Sequence, residues 1–367
     1  MVGNESVPTV QLLTPEGERV EHPDYEFSGS DEMIAGFLRD MVLVRRIDNE
    51  AHALQRQGQL GLWPSLEGQE AAQIGSGRAF GKNDYAFPSY REMGVGWAKG
   101  MKPVDMISLF RSVDMSPWNV NETTFHMYTL VIGSHALHAT GYAMGLEMDG
   151  LVGNNDPERD ASVTCYFGDG ATSQGDVNEA FVFASSYNAP IVFFLQNNQW
   201  AISEPITRQS RIPLYQRAQG FGFPGIRVDG NDVLAVYAVT SQALERARSG
   251  NGPTLIEAFT YRMGAHTTSD DPTKYRLDAE LEYWRLKDPI ERVAAYLRRQ
   301  VGIEEQFFTD LAAEADELAA EVRAQVLALP EPNLAEQFDI TYAEQTPYLA
   351  DQKQAYLDYA DSFEEQA

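Results

Sequence analysis

Ala161-Ser162-Val163-Thr164-Cys165-Tyr166-Phe167-Gly168-Asp169-Gly170 is the stretch on which the reading of this chain turns. Residues 161–167 alternate as a strand does and stop at two glycines flanking an aspartate. Residues 175–188 then place Val177, Ala180, Phe181 and Ala184 on one helical face. Pro190 opens a second apolar run, Ile191-Val192-Phe193-Phe194-Leu195, which ends at Asn197-Asn198. Parallel strands need a crossover, so strand, helix and strand with short joins predict a parallel βαβ unit. A second unit follows, with a strand at 226–229, a helix at 233–248, a turn at Asn251-Gly252 and a strand at 254–260. Such alternation predicts an α/β fold, a doubly wound and mainly parallel sheet flanked by helices.

Ligands of open α/β sheets bind beyond the C-terminal strand ends, where Gly168-Asp169-Gly170-Ala171 falls. The glycines allow a backbone to approach an anion and expose its N–H groups. An aspartate there repels a bare phosphate, but suits one carried by a divalent cation, and Mg²⁺ shares its oxygen ligands readily with phosphates. Asn198 ends the next parallel strand and returns to the same edge as a second oxygen donor, with the Trp200 carbonyl as a third. Taken singly, Gly-Asp-Gly is an ordinary turn and Asn-Asn an ordinary loop start. Their pairing on successive strands, with 26 residues between them, carries the specificity.

Outward from this unit, Ser30 opens a helix to about Gln57 with Ile34, Phe37, Leu38, Met41, Val44 and Ile47 at helical spacing. A second helix is expected from about Leu66, and 111–135 reads as irregular. Three parts result: an extended N-terminal arm at 1–30 with little fold of its own, an α/β domain at 31–330, and an acidic helical tail at 331–367. There are 28 basic and 54 acidic residues, a net charge of −26, which excludes nucleic acid and anionic membranes as partners. The bland meaning of that charge is solubility. Cys165 is the single cysteine and sits in an apolar strand, so it reads as inert packing in a reducing compartment. The start, Met1-Val-Gly-Asn-Glu-Ser, shows no signal-peptide pattern, and no apolar run is long enough to span a membrane. A cytoplasmic location is the expectation.

The Asp169–Asn198 pattern resembles the signature of the thiamine-diphosphate fold. About residues 35–345 look like the α chain of heteromeric branched-chain 2-oxo acid and pyruvate dehydrogenases. The likeness is carried by Glu67-Gly68-Gln69-Glu70-Ala71-Ala72, Phe87-Pro88-Ser89-Tyr90-Arg91-Glu92 and the stretches 164–179 and 261–276. It implies thiamine diphosphate and Mg²⁺ as cofactors, decarboxylation of a 2-oxo acid, and acyl transfer to a lipoyl group on an acyltransferase. It also implies a β subunit, in a heterotetramer of two α and two β chains, that supplies the carboxylate beside the cofactor's aminopyrimidine. By the same resemblance, Asp169, Asn198 and Trp200 hold the metal, and Gly168, Gly170 and Ala171 line the cofactor. Tyr90 and Arg91 contact the diphosphate, as their O–H and guanidinium chemistry suits. Ser134 faces the pyrimidine ring, and His126 and Tyr128 fall in the substrate-pocket segment.

His266, in Gly264-Ala265-His266-Thr267-Thr268-Ser269-Asp270-Asp271, lies in a polar loop after the last strand and suits proton transfer. Its segment is similar to the family's phosphorylation loop, whose matching histidine assists acyl transfer. A lone loop histidine is otherwise merely exposed. His135-x-x-His138 lacks an acidic third ligand at zinc-protease spacing and reads as packing or site lining. Three departures stand out. Residues 135–141 lack the usual Pro-containing pattern, Gln196 replaces an arginine of animal branched-chain enzymes, and Thr267 replaces their regulatory serine. The rival readings are a pyruvate or acetoin enzyme of the same group, and a non-catalytic acidic scaffold, which would need none of Asp169, Asn198, Arg91 and His266 together.

Overall fold

The computed structural model describes residues 7–113, 117–331 and 333–364. The first six and last three residues, the ends of the expected arm and tail, lie outside the described residues, as do 114–116 and 332. Five parallel strands form the main sheet: β1 (Tyr85–Phe87), β2 (Val163–Gly168), β3 (Ile191–Asn197), β4 (Gly225–Asp229) and β5 (Thr254–Phe259). Their order is β1-β2-β3-β5-β4, and Gly168 pairs in register with Gln196. Asp169 and Asn198 therefore leave the sheet side by side at the C-terminal edge, as the expected doubly wound α/β fold requires.

Side-chain alternation splits the sheet between two cores. Val163, Cys165, Phe167, Ile191, Phe193 and Leu195 point to one face, against α3 (His135–Met148) and α4 (Gly175–Ser186). Tyr166, Val192, Phe194, Ile256 and Ala258 point to the other, which is covered by α1 (Asp31–Arg56), α2 (Glu70–Gly77) and α5 (Val233–Arg248). Burying both faces explains why β3 reads as an unbroken apolar run. Cys165 is fully buried there as a free thiol whose ionisation burial pushes well up.

Helix α1 starts where Ser30 accepts a hydrogen bond from Met33 N at 3.4 Å, with Asp31 and Glu32 in its first turn. The helix expected from Leu66 begins only at Glu70. Gly68 takes φ +91°, and a Cβ there would lie 2.5 Å from the Tyr261 carbonyl oxygen. Gly68 N donates to the Glu70 carboxylate at 3.0 Å, so 66–69 is a glycine turn in front of the helix. The N-terminal segment, expected to have little fold of its own, turns back on itself, with Leu13 bridging Arg19 in antiparallel, Thr14 N donating to Glu18 O at 2.8 Å and Val20 N to Leu12 O at 2.9 Å, and it also attaches to the sheet edge. Val10 bridges Val228 in parallel, and Leu12 N and Leu13 N both donate to Asp232 Oδ2 at 2.6 Å. Asp232 Oδ1 also caps α5 through Leu234 N at 3.0 Å and Ala235 N at 3.1 Å. Near the other end, α6 (Glu305–Leu327) packs on α1, and α7 (Pro347–Glu364) follows a 3₁₀ turn at Leu334–Phe338. Among the described residues, no helix is long and apolar enough to cross a membrane.

Candidate active site

The turn after β2 is a 3₁₀ segment, Asp169–Ser173, that hands the chain to α4. Asp169 is only 1% exposed, and its hydrogen-bond partner is a neutral amide, Gln209 Nε2, at 2.6 Å. Burial, with no basic partner in contact among the described residues, pushes its carboxyl up to about 6. The turn after β3 presses against it: a Cβ on Gly170 would lie 2.8 Å from Ala201 Cβ. Hence only glycine fits at 170, and the Asp169 and Asn198–Ala201 turns are in contact.

The two asparagines divide their work. Asn197 turns back into the sheet, its Nδ2 donating to Glu257 Oε1 at 2.6 Å. Asn198 donates its Nδ2 to Gln69 Oε1 at 3.0 Å, and its Oδ1 takes a longer 3.3 Å bond from Trp200 N. The Trp200 carbonyl accepts from Arg262 at 2.9 Å.

A cationic cluster lies beside this edge in an otherwise acidic chain. Arg91 is 6% exposed and approaches His266 Nδ1 at 3.3 Å through one guanidinium nitrogen, which also donates to the His266 carbonyl at 3.0 Å. Arg262 approaches the same Nδ1 at 3.4 Å and donates to Ile202 O at 2.8 Å and Tyr275 Oη at 2.9 Å. Guanidinium N–H groups only donate, so Nδ1 is the acceptor and the imidazole proton sits on Nε2. Burial and then the two guanidiniums push His266 down to about 3, so the ring is held neutral. Tyr90 meets His266 edge-on at 6.3 Å between centroids and lies beneath Arg91 at 5.3 Å. Two mutually repelling guanidiniums here favour an anion, and a buried carboxylate without a basic partner in contact favours a cation. Both halves of a cation–diphosphate pair fit the residues present.

The chain matches the dehydrogenase E1 component family over residues 39–334. It is 41% identical over 346 residues to the 3-methyl-2-oxobutanoate dehydrogenase subunit alpha of Mycobacterium tuberculosis, covering 94% of this chain and 92% of that one. It is 37% identical to the pyruvate dehydrogenase E1 component subunit alpha of Acholeplasma laidlawii, covering 89% and 94%. The corresponding Bacillus subtilis subunit is 35% identical, covering 95% and 92%. The chain belongs to the dehydrogenase E1 component family. It is thus an E1 α chain of a 2-oxo acid dehydrogenase, a family that depends on thiamine diphosphate.

Other expected residues of this E1 α chain lie farther out. His126 is half-buried and stacked on Phe87 at 4.5 Å, and burial lowers its proton affinity. Tyr128 packs edge-on against Trp118 and Phe125. Ser134 Oγ donates to Val131 O at 2.8 Å just before α3. His135 is buried with Nε2 on Tyr166 O at 2.6 Å, while His138 is exposed. Among the described residues no three His, Cys, Asp or Glu side chains form a metal-binding group, so the His135–His138 pair gathers no such ligands.

Sequence reasoning passed over Arg262, Gln209 and Glu92. Glu92 is buried, accepts from Ser89 N at 2.8 Å and Arg91 N at 3.2 Å, and takes Gln196 Nε2 at 3.0 Å. It shapes the turn that presents Tyr90 and Arg91, and it gives Gln196 a partner. Arg262 stands four residues before His266 in a loop, without periodicity to flag it. Gln209 lies 40 residues from its partner Asp169 in a short surface turn, where sequence offers no signal.

Proposed function

We propose that this chain binds thiamine diphosphate and Mg²⁺ and, with a β subunit, decarboxylates a branched-chain 2-oxo acid of the 2-oxoisovalerate type. The acyl group then passes to the lipoyl group of a dihydrolipoyl acyltransferase. One observation carries the reading: a buried carboxylate without a basic partner in contact, an amide oxygen, two guanidiniums and a neutral imidazole share one strand edge. When bound, thiamine diphosphate supplies the electron sink for loss of carbon dioxide.

This chain's residues do the rest. Asp169, Asn198 Oδ1 and the Trp200 carbonyl would hold Mg²⁺, and the backbone of Gly168, Gly170 and Ala171 would line the cofactor. Tyr90 and Arg91 would bind the phosphate oxygens, and Arg262 would add its charge. Ser134 orients the pyrimidine, and His126 and Tyr128 border the substrate. His266, with its proton on Nε2, would move that proton during acyl transfer. The carboxylate beside the aminopyrimidine comes from the β chain in a heterotetramer of two α and two β chains. The buried thiol of Cys165 suits a reducing, cytoplasmic location.

The higher identity to the branched-chain relative, 41% against 37%, favours that substrate over pyruvate, and acetoin is the third choice. Turnover of 2-oxoisovalerate, pyruvate and acetoin is to be measured with and without the β chain. Activity only in the mixture and highest on 2-oxoisovalerate is expected. Full activity of the α chain alone refutes the shared site, and a preference for pyruvate or acetoin refutes the substrate.

A further inference from the structure

We propose that Gln209 is a positioning residue of the cation end of this site, fixing the Asp169 carboxylate and accepting a hydrogen bond from a water on the cation. The inference rests on the reading of Asp169 as a cation ligand.

Gln209 closes the short turn Ile206–Gln209, reached from Trp200 through the hairpin Trp200–Ala201 and Glu204–Pro205. The hairpin is locked to the site at both ends. Ala201 abuts Gly170, and Ile206 N donates to Gln199 O at 2.9 Å. Gln209 Nε2 donates to Asp169 Oδ2 at 2.6 Å and to Glu204 O at 3.2 Å. Both amide protons are thus committed, one to the carboxylate and one to its own turn. The amide oxygen is buried and has no hydrogen-bond partner among the described residues. A buried acceptor left unpaired is costly, so such atoms normally have a donor.

A cation site supplies one. Mg²⁺ dehydrates reluctantly and keeps several waters, each of which donates outward. Ligating carboxylates are themselves held by hydrogen bonds, and those outer partners tune metal affinity. Gln209 has both properties: it fixes one oxygen of Asp169, and it offers an acceptor beside the carboxylate. Turned over, the same amide would point its oxygen at Asp169 and ligate the cation directly. Gln209→Glu separates these arrangements, because a carboxylate cannot donate to Asp169 but makes a strong direct ligand.

The test uses the assembled α and β chains with saturating thiamine diphosphate and Mn²⁺ as the probe, reading free Mn²⁺ by electron paramagnetic resonance. Gln209→Ala should raise half-saturating Mn²⁺ by about 10- to 100-fold. Gln209→Glu should weaken binding as well. The circular dichroism of both variants without cation and cofactor should match the wild type. Binding by Gln209→Ala within twofold of wild type overturns the proposal. Tighter binding by Gln209→Glu overturns it in favour of a direct ligand. A variant whose circular dichroism departs from the wild type together with its affinity assigns Gln209 to packing and also overturns it. The underlying reading fails separately, and takes the proposal with it, if wild type binds no Mn²⁺ or if Asp169→Ala binds it equally well.

Discussion

The imidazole of His266 should resist protonation until strongly acidic pH in the cofactor-free chain, and Arg262→Gln should weaken that resistance. Two guanidiniums reach the same Nδ1, at 3.3 Å from Arg91 and 3.4 Å from Arg262. At 4 Å and an effective dielectric of about 20, two unit charges repel by about 4 kcal/mol. Delocalisation over the guanidinium and the ring brings the Arg262 share to roughly 2–3 kcal/mol, close to a hundredfold in proton affinity. With the ring held down to about 3, the variant should titrate roughly two pH units higher. Carbon-13 labelling of the histidine Cε1 atoms, with His266→Gln to assign the resonance, measures both midpoints by NMR.

Stability carries the same information. The folded chain binds this proton only below about pH 3, whereas an unfolded histidine binds it below about 6.5. The contribution of the neutral ring is therefore complete above about pH 6.5 and lost as the pH falls towards 3. The slope reaches about 1.4 kcal/mol per pH unit for a single group. Urea unfolding between pH 4 and 7 should show a shallower dependence in Arg262→Gln. A wild-type His266 midpoint near 6.5, or no change in the variant, would refute the clamp.

Asp169→Ala should abolish Mg²⁺-dependent thiamine diphosphate binding by the assembled chains while leaving the fold intact, as checked by calorimetry and circular dichroism. Gly170→Ala puts a methyl 2.8 Å from Ala201 Cβ and should cost about 1–3 kcal/mol in denaturant unfolding, with weakened cofactor affinity. Asp232→Ala orphans four backbone N–H groups, two capping α5 and two holding Leu12 and Leu13. It should destabilise the chain by about 3 kcal/mol or more, and a loss under about 1 kcal/mol would contradict the double role. Cys165, fully buried in β2, should react with a thiol reagent only after unfolding, which labelling at increasing urea would show.

Where a property is repeated along the chain, the sequence was a good guide to the structure. Apolar residues on both parities of β2 and β3 fix a sheet buried on both faces, and the helix of 233–248 matched α5 end to end. Strand ends were legible because glycine and asparagine interrupt those runs, which brought Asp169 and Asn198 to one edge. The start of α2 was not. A helix was expected from about Leu66, but Gly68 at φ +91° packs under the Tyr261 carbonyl, a tertiary contact no local pattern contains. The N-terminal segment was obscure for a related reason, since the hydrogen bonds that anchor it to the sheet go to Asp232 and to the β4 backbone over 200 residues away.

The chemistry of the site divides along the same line. Ligand-type residues such as Asp169, Asn198 and Arg91 sit in short motifs because each must leave a particular strand or turn. The groups that set their properties do not. Arg262 sets the tautomer of His266, Gln209 the orientation of Asp169, and Glu92 the turn before Arg91. Each acts through one side-chain contact made in three dimensions, so any segment that passes near enough can supply it. Substitutions at these three positions should therefore change proton affinity, cation affinity and diphosphate affinity, respectively. Exchanges at the ligands themselves should remove binding outright. A survey of variants in which Arg262, Gln209 and Glu92 proved indifferent, while ligand exchanges alone mattered, would show that the motifs suffice and that the surrounding contacts only pack.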